Sequence, residues 1–133
     1  MRCCSKATIP PEHQPDATLT QAAPVQNTWY PILNTTKNCR IYRIFVSVAD
    51  TNETLEVKIT IDGNIISGSV PATAGTSYYV YFSGYGNALI IDTVDPIAAY
   101  AFLLEGRSIK VEVRKTTAAG AGTITARVKY AKW

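Results

Sequence analysis

Apolar and polar side chains alternate with a period of two along three stretches of this chain. These stretches are Thr54–Asp62, Ser108–Lys115 and Thr123–Ala131. In the first of them, every second residue from Leu55 to Ile61 is apolar. Successive side chains of a β-strand point to opposite faces, so this alternation is typical of strands with one face in a core and one in water. A fold built from half-buried strands is therefore predicted.

Less regular stretches complete the predicted set of about eight strands. They are Thr28–Asn34, Arg40–Ala49, Asn64–Ser67, Thr76–Ser83, Ala88–Asp92 and Ala98–Glu105. Between two strands stands Asp62-Gly63, a pair that tight hairpins prefer because both central residues adopt positive φ. No amphipathic helix longer than two turns is predicted. Antiparallel strands of this length pack as two sheets, so the chain is expected to be an all-β sandwich of the jelly-roll type.

The same alternation predicts which side chains fill the core. They are Leu55, Val57, Ile59, Ile61, Val80, Phe82, Ile109, Val111, Val113, Ile124 and Val128. On Arg40–Ala49, Tyr42 is expected on the same inner face as Ile44, and on the last strand Tyr130 is expected to face inward with Val128. A slip of one residue would move every one of these side chains to the other face, so their burial tests the register.

Residues 1–27 differ from the domain expected over residues 28–133. Their prolines disfavour both helices and inner strands, and these prolines are Pro10, Pro11, Pro15 and Pro24. The segment is therefore predicted to be an extended arm. Either it is a passive leader, or its spaced apolar residues Ile9, Leu19 and Val25 bind a neighbouring subunit by adding a strand to a sheet edge.

Basic residues are concentrated at one end of the chain. The net charge is +3, and residues 107–133 contain seven Lys and Arg against Glu112 alone. Because these cations alternate with apolar residues, they are expected to form the solvated face of two strands. Complementary charge between copies of the chain is the alternative. Nucleic acid is not the expected partner.

Groups that carry out catalysis are scarce. His13 is the single histidine, which excludes Ser-His-Asp and Cys-His arrangements and multi-histidine metal sites. No phosphate-binding glycine motif follows a predicted strand, and the carboxylates fall in predicted turns and on polar faces. Cys3, Cys4 and Cys39 form no zinc-type spacing and are expected to be reduced thiols. Neither a secretion signal nor a membrane-spanning run is found. A protein that is not an enzyme and has no cofactor, metal or membrane partner is predicted.

Aromatic residues cluster in and after the stretch Thr76–Ser83. Tyr78 and Phe82 share the predicted inner face, so Tyr79 and Tyr81 must point the other way. Three interpretations remain open for these outward rings and for Tyr85: cover within the monomer, contact with another subunit, and stacking on a sugar or another ligand. Tyr79, Tyr81 and Tyr85 are accordingly candidate interface residues.

Three stretches together resemble known proteins. They are the opening TWYPIL, the hairpin TLEVKITIDGNIISGS and the ending LLEGRSIKVEVRKTTAAGAGTITARVKYAKW. In their residue pattern and their order, over residues 28–133, they resemble small β-sandwich structural proteins of tailed phages and related viruses. These are capsid decoration proteins, head-fibre or tail-fibre domains and small jelly-roll capsid proteins. The resemblance implies synthesis in the host cytoplasm, a place in the virion, and assembly as trimers or larger rings. It also implies terminal arms that bind neighbours.

Three functions are carried forward from these observations. The first is a virion structural protein, of the capsid decoration, minor capsid or head-fibre kind, that contacts copies of itself and other virion proteins. The second is a carbohydrate- or receptor-binding sandwich such as a fibre tip, with a sugar as its ligand. The third is an enzyme or a nucleic-acid binder. A stable symmetric oligomer is expected of the first, and an aromatic-lined sugar site of the second.

Overall fold

A computed structural model describes residues 12–82, 88–94, 103–118, 120 and 122–133. These residues form eleven strands: β1 (Glu12–His13), β2 (Ala17–Gln21), β3 (Tyr30–Thr35), β4 (Cys39–Val48), β5 (Glu53–Ile61), β6 (Asn64–Ala72), β7 (Ser77–Phe82), β8 (Leu89–Asp92), β9 (Leu104–Gly106), β10 (Ile109–Lys115) and β11 (Ile124–Lys132). Within these ranges there is no helix, and so none that is long and apolar enough to cross a membrane.

The strands form two antiparallel sheets. The first sheet has the order β1-β11-β4-β7-β8, with β2 also pairing with β11 and β9 with β4. The second sheet has the order β3-β10-β5-β6. Buried side chains from both sheets form a single cluster, which is the arrangement of a β-sandwich. The all-β sandwich predicted from the alternation is confirmed.

The predicted core lies where the alternation places it. Nine of its eleven residues are buried, among them Val57 and Val111, both with no exposed surface. The other two, Ile61 and Phe82, are half-buried because each is the last residue of its strand, where the covering sheet thins out. The register predicted for β5, β10 and β11 is therefore correct.

The turn between β5 and β6 is the predicted tight hairpin. Asp62 has a φ of 49° and Gly63 a φ of 85°, so both central residues are in the left-handed region. The Asp62 carboxylate also accepts hydrogen bonds from the backbone N–H groups of Arg107 and Ser108, at 2.8 and 3.0 Å. The turn thus anchors the chain that leads into β10.

Strand β6 is longer than predicted and forms a seam between the two sheets. The predicted strand ends at Ser67, whereas β6 continues to Ala72. Pro71 is tolerated because β6 is an edge strand, where a missing N–H costs little. Ser67 makes a parallel bridge to Ala88 of the other sheet. At Gly68 a Cβ atom would collide with the backbone carbonyl of Leu89, so this seam requires glycine.

A β-bulge in β4 overturns one predicted position. Arg43 lies opposite Lys129, but the next pair joins Ile41 to Tyr130, so β4 contains one extra residue there. The bulge reverses the alternation, and Ile41 lies in the core instead of Tyr42. The prediction that Tyr42 shares the inner face is therefore wrong. Tyr130, beside the bulge, is half-buried against the core.

The segment expected to be an extended arm pairs with its own domain over residues 12–21. Strand β2 pairs with β11 from Gln21 opposite Ile124 to Ala17 opposite Val128, and β1 pairs with the end of the same strand. Pairing is favoured because it satisfies the edge of β11, and Pro15 and Pro24 flank β2 without interrupting it. For these residues, the expectation of an arm reaching outward is corrected.

Some predicted features lie outside the described residues. These are Ile9 and the start of the arm, the turn at Ser83–Asn87 with Tyr85, and most of the strand predicted at Ala98–Glu105. The described part of that last strand belongs to β9, which pairs with the first residues of β4.

Candidate binding face on the first sheet

Three strands of the first sheet present a row of large side chains on their outer face. Arg127 of β11, Phe45 of β4 and Tyr79 of β7 are direct cross-strand neighbours. The ring centroids of Phe45 and Tyr79 are 5.0 Å apart, within the range of favourable aromatic pairs. The guanidinium of Arg127 lies 5.7 Å from the centroid of Phe45, and that of Arg43 lies 6.0 Å from it. Both distances fit cation–π attraction.

The next row along the same strands consists of small hydroxyl side chains. Ser47 of β4 lies opposite Ser77 of β7 on one side and opposite Thr125 of β11 on the other. Because side chains two residues apart share a face, these hydroxyls lie beside the larger row. The step in size leaves a depression of about 240 Å³ that Phe45, Tyr79 and Arg127 also line. Its floor is polar and one wall is aromatic.

The N-terminal strand β2 extends this face beyond β11. Thr18 lies opposite Arg127, and Thr20 lies opposite Thr125. Asp16, just before β2, is 3.9 Å from the guanidinium of Arg127, which is the outer limit of an ion pair. The side chain of Arg127 remains 55% exposed, so a contact this long and this open to water contributes little.

A second hollow of about 230 Å³ lies near the bulge on β4. His13, Tyr42, Arg43 and Lys129 line it, and the rings of His13 and Tyr42 are 4.8 Å apart. The residue that the bulge expels from the core thus becomes part of the outer face. Together with the row above, it makes this face aromatic and positively charged.

Arg40 marks the end of the face near the C-terminus. Its guanidinium lies 5.6 Å from the centroid of Trp133 and 3.3 Å from the carboxylate of Glu105. A hydrogen bond with the Tyr42 side chain, together with the charge of Glu105, raises the pKa of Arg40 above its ordinary value. Arg40 is therefore a positive charge held by the ring of Trp133, the carboxylate of Glu105 and the side chain of Tyr42.

The outer face of the second sheet is different, because its charges neutralise one another. Arg114 pairs with Glu56 at 2.7 Å, and Lys58 and Lys110 each lie 3.5 Å from Glu112. The contacts of Arg114 with Glu56 and of Lys58 with Glu112 join β5 to β10, and that of Lys110 with Glu112 lies within β10. We call this set of five side chains the ion-pair ladder.

Trp29 covers part of the ion-pair ladder. The charged groups of Lys58 and Arg114 each lie 4.4 Å from the centroid of its ring. Two cation–π contacts and the carboxylates below leave these charges well satisfied. The ladder is therefore a structural feature that ties the start of β3 to the sheet.

One ion pair is fully buried at an end of the sandwich. The ammonium of Lys115 lies 3.3 Å from the carboxylate of Glu53 and donates a hydrogen bond of 2.5 Å to the Gly120 carbonyl. Both side chains are almost without exposed surface. Among the described residues, no hydrogen-bond donor reaches either carboxylate oxygen of Glu53 with good geometry. The pair holds the loop between β10 and β11 against β5.

Four of the six predicted interface residues lie within the described ranges, and their environments differ. Tyr79 and Tyr81 lie on the outer face of the first sheet, half-buried, as the alternation predicts for their direction. Leu19 is half-buried against the core of its own chain, and its contact with a neighbouring subunit stays a prediction. Val25 is 62% exposed. Ile9 and Tyr85 lie outside the described residues.

Phe45, Arg43 and Arg127 belong to this face, although the sequence pattern does not mark them as members of a site. Phe45 alternates out of phase with Ile44 and Val46, which is the signal that would have placed it on the outer face. Arg127 was interpreted only as part of a solvated strand. Its position beside Phe45 depends on the pairing of β11 with β4, which no local pattern specifies.

Groups suited to metal binding are not brought together in the part of the chain that the structure describes. There, no three His, Cys, Asp or Glu side chains are close enough to hold an ion. Cys39 is a free thiol with no exposed surface. Burial raises the pKa of this thiol to about 11, and the charge of Lys132 partly offsets the effect.

Comparison of the chain with family models, with curated proteins and with solved structures gives no match.

Proposed function

We propose that this chain is a non-enzymatic structural protein of virions, of the capsid decoration, minor capsid or head-fibre kind, that acts through contacts between subunits. The proposal includes a jelly-roll sandwich, a homo-oligomer and other virion proteins as partners, with assembly in the host cytoplasm. It is supported by the connectivity of the strands and by the character of the outer face of the first sheet.

The nesting of the strand pairs is the observation that carries the proposal. β5 pairs with β6, β4 with β7, β3 with β10 and β2 with β11, each pair enclosing the one before it in sequence. Such nesting corresponds to one long hairpin wrapped over itself. The resulting orders β2-β11-β4-β7 and β3-β10-β5-β6 support the proposal of a jelly roll of eight strands. Viral capsid and lectin domains are among the proteins built in this way.

The first sheet offers the better surface for subunit contact. Its outer face is rich in aromatic rings and cations, and aromatic residues and Arg are enriched where proteins meet. Beside the aromatic row, Ile90 of β8 lies opposite Tyr81 and is 37% exposed. The second sheet, by contrast, has its charges paired within the ion-pair ladder. We therefore assign the contact between subunits to the β7–β8 side of the first sheet.

Light scattering coupled to size-exclusion chromatography tests this assignment. The full chain is expected to elute as an oligomer, and Ile90→Glu is expected to dissociate it, since a charge would be buried at the contact. Ile65→Glu is the matched control, because Ile65 is 53% exposed on the outer face of the second sheet. A wild-type monomer at every concentration, or equal effects of the two substitutions, would contradict the proposal.

A second function is favoured by the depression beside Tyr79. Lectin domains share the jelly-roll connectivity, and a polar floor with one aromatic wall suits a carbohydrate. A carbohydrate- or receptor-binding module, such as a fibre tip, is therefore the alternative to a purely structural role.

A further inference from the structure

We infer that the depression on the outer face of the first sheet binds an acidic sugar, a pyranose that bears a carboxylate. This inference deepens the second function above and does not depend on assembly. The site comprises Tyr79, Ser47, Ser77, Thr125 and Arg127, with Phe45 as support.

The aromatic wall supplies the stacking surface. Tyr79 is half-buried, and its ring is set by the neighbouring ring of Phe45 at 5.0 Å. The C–H face of a pyranose is apolar and packs against the face of an aromatic ring, which loses little entropy on binding because it is already held. Phe45 supports the ring of Tyr79 and is not itself the stacking surface, because the guanidinium groups of Arg43 and Arg127 already lie near its own ring.

The floor supplies hydrogen bonds to sugar hydroxyls. Ser47, Ser77 and Thr125 form one cross-strand row, and each hydroxyl can donate once and accept twice. Within the described residues these three hydroxyls make no hydrogen bond to the protein. They are therefore available to a ligand that both donates and accepts, as a sugar does.

Arg127 selects for the acid. Its guanidinium is positioned against the ring of Phe45, and its ion pair with Asp16 is long, at 3.9 Å, and open to water, so a ligand carboxylate can compete for it. A guanidinium bonds a carboxylate through two parallel N–H groups, a stronger and more directional contact than a neutral hydroxyl provides. Arg43 and Lys129, also cross-strand neighbours on this face, add positive potential.

The volume favours one sugar ring over a longer aromatic ligand. About 240 Å³ is below the usual size of pockets for drug-sized molecules. Single-stranded nucleic acid would need successive stacking rings along a basic groove. In this depression the ring of Tyr79 packs against that of Phe45, and Phe45 is itself flanked by two arginines. The depression therefore does not present a series of free rings on which successive bases could stack.

The test compares two ligands that differ in one group, methyl β-glucuronide and methyl β-glucoside. Binding to the full chain is measured by titration with detection of backbone amide shifts by NMR. The glucuronide is expected to bind more tightly, with shifts confined to β4, β7 and β11. Arg127→Gln is expected to weaken the glucuronide about tenfold or more, the value of a charge-assisted hydrogen bond, and to leave the glucoside unchanged. Thr125→Val is expected to weaken both.

Arg107→Gln is the matched control, because Arg107 is exposed in the turn before β10 and away from this face. It should leave both affinities unchanged, and circular dichroism checks that each variant is folded. Three results would overturn the inference: no shifts with either glycoside, shifts elsewhere, or an Arg127→Gln variant that keeps its preference for the acid. Displacement of the glucuronide by oligothymidylate at low salt, with tighter binding of the oligonucleotide, would assign the site to nucleic acid instead. A monomeric protein that binds the glucuronide would keep this inference and remove the structural function.

Discussion

Individual residues with unusual backbone or burial decide where this sandwich is sensitive to substitution. Gly63 and Gly68 are needed for different reasons. Gly63 has a φ of 85° with open space where a Cβ would lie, so its constraint is conformational. Gly68 has an ordinary φ but lies against the Leu89 backbone, so its constraint is steric. The two positions therefore tolerate different replacements.

Gly63→Val is expected to lower the free energy of unfolding by about 1–3 kcal/mol, because a β-branched residue is strained at positive φ. Gly63→Asn should cost clearly less, since Asn tolerates the left-handed region. Urea denaturation followed by circular dichroism measures both values. An equal cost for the two substitutions would mean that the turn relaxes and that φ at this position does not matter.

The buried pair of Glu53 and Lys115 gives a second prediction at this scale. Lys115→Met alone is expected to cost about 3–5 kcal/mol, because it leaves a buried carboxylate without a cation. The double substitution Glu53→Leu with Lys115→Met should recover most of that loss. Lys110→Met, which removes an exposed member of the ion-pair ladder, should cost at most about 1 kcal/mol. Chemical denaturation of the wild type and these three variants checks the order, and a double variant that loses as much stability as Lys115→Met alone, or more, would contradict it.

Among the elements, β2 changes the interpretation of the N-terminal segment most. It covers the edge of β11, and Ala17 and Leu19 pack against the core. An isolated segment of this composition buries too little apolar surface to fold, which is why the sequence predicts an arm. The edge of β11 supplies the missing partner. That edge exists only in the assembled sheet, so it cannot be predicted from the sequence of the segment alone.

Deletion of residues 1–22 is therefore expected to destabilise the domain. The loss should be about 2 kcal/mol or more, the value of burying one Leu side chain, and the exposed edge of β11 should promote aggregation. Deletion of residues 1–10, which keeps β1 and β2, is the control. Thermal melts and light scattering compare the two, and equal stability would show that β2 adds nothing to the fold.

The elements that were predicted well share one property. In β5 almost to its end, and in β11 as far as Lys129, buried and more exposed side chains alternate, and in β10 the apolar residues Ile109, Val111 and Val113 are all buried as the sequence pattern predicts. Over these stretches two neighbouring residues already fix which side of the strand faces inward. In β4 the bulge at Tyr42 reverses the faces within one strand, and in β3 a similar irregularity leaves Ile32 and Leu33 both buried. No Gly or Pro stands in β4 to mark its bulge, so the sequence pattern could not locate it.

At the scale of the whole molecule, the class of fold was predictable and the binding face was only partly so. The outward direction of Tyr79 and Tyr81 follows from the buried residues between them. Their neighbours on the face come from strands far apart in sequence, such as Phe45 and Arg127. Strand order is set by pairing between residues far apart in sequence. The periodicity that identifies each strand therefore does not indicate which other strands pair with it.

Cys39 is a probe of the unfolding of the whole molecule, because its thiol has no exposed surface in the folded chain. In a variant in which Cys3 and Cys4 are changed to Ser, modification of Cys39 by Ellman's reagent at pH 8 should be limited by unfolding. The folded state raises the pKa of this thiol to about 11 from a reference value of 9.0. It therefore keeps a proton that the unfolded chain releases, and stability should fall as the pH rises from 9 to 11.

Stopped-flow labelling and urea titrations at several pH values measure the two effects. Cys39→Ala in the same background is the control, because it removes this titration and keeps those of Lys and Tyr. Rapid native labelling, or identical pH dependence of the two proteins, would contradict the burial of the thiol.

The seam at Gly68 bears on how the molecule opens. The two sheets meet there at a bridge between Ser67 and Ala88, and the backbone of Leu89 lies close to Gly68. An opening that begins at this edge frees β6 and β8 while β10, β4 and β11 keep partners on both sides. Amide protons of the outer strands should then exchange with solvent through local fluctuations, whereas those of these three inner strands exchange only when the entire sandwich comes apart. The protein would behave toward solvent as a rigid centre with a hinge along one side.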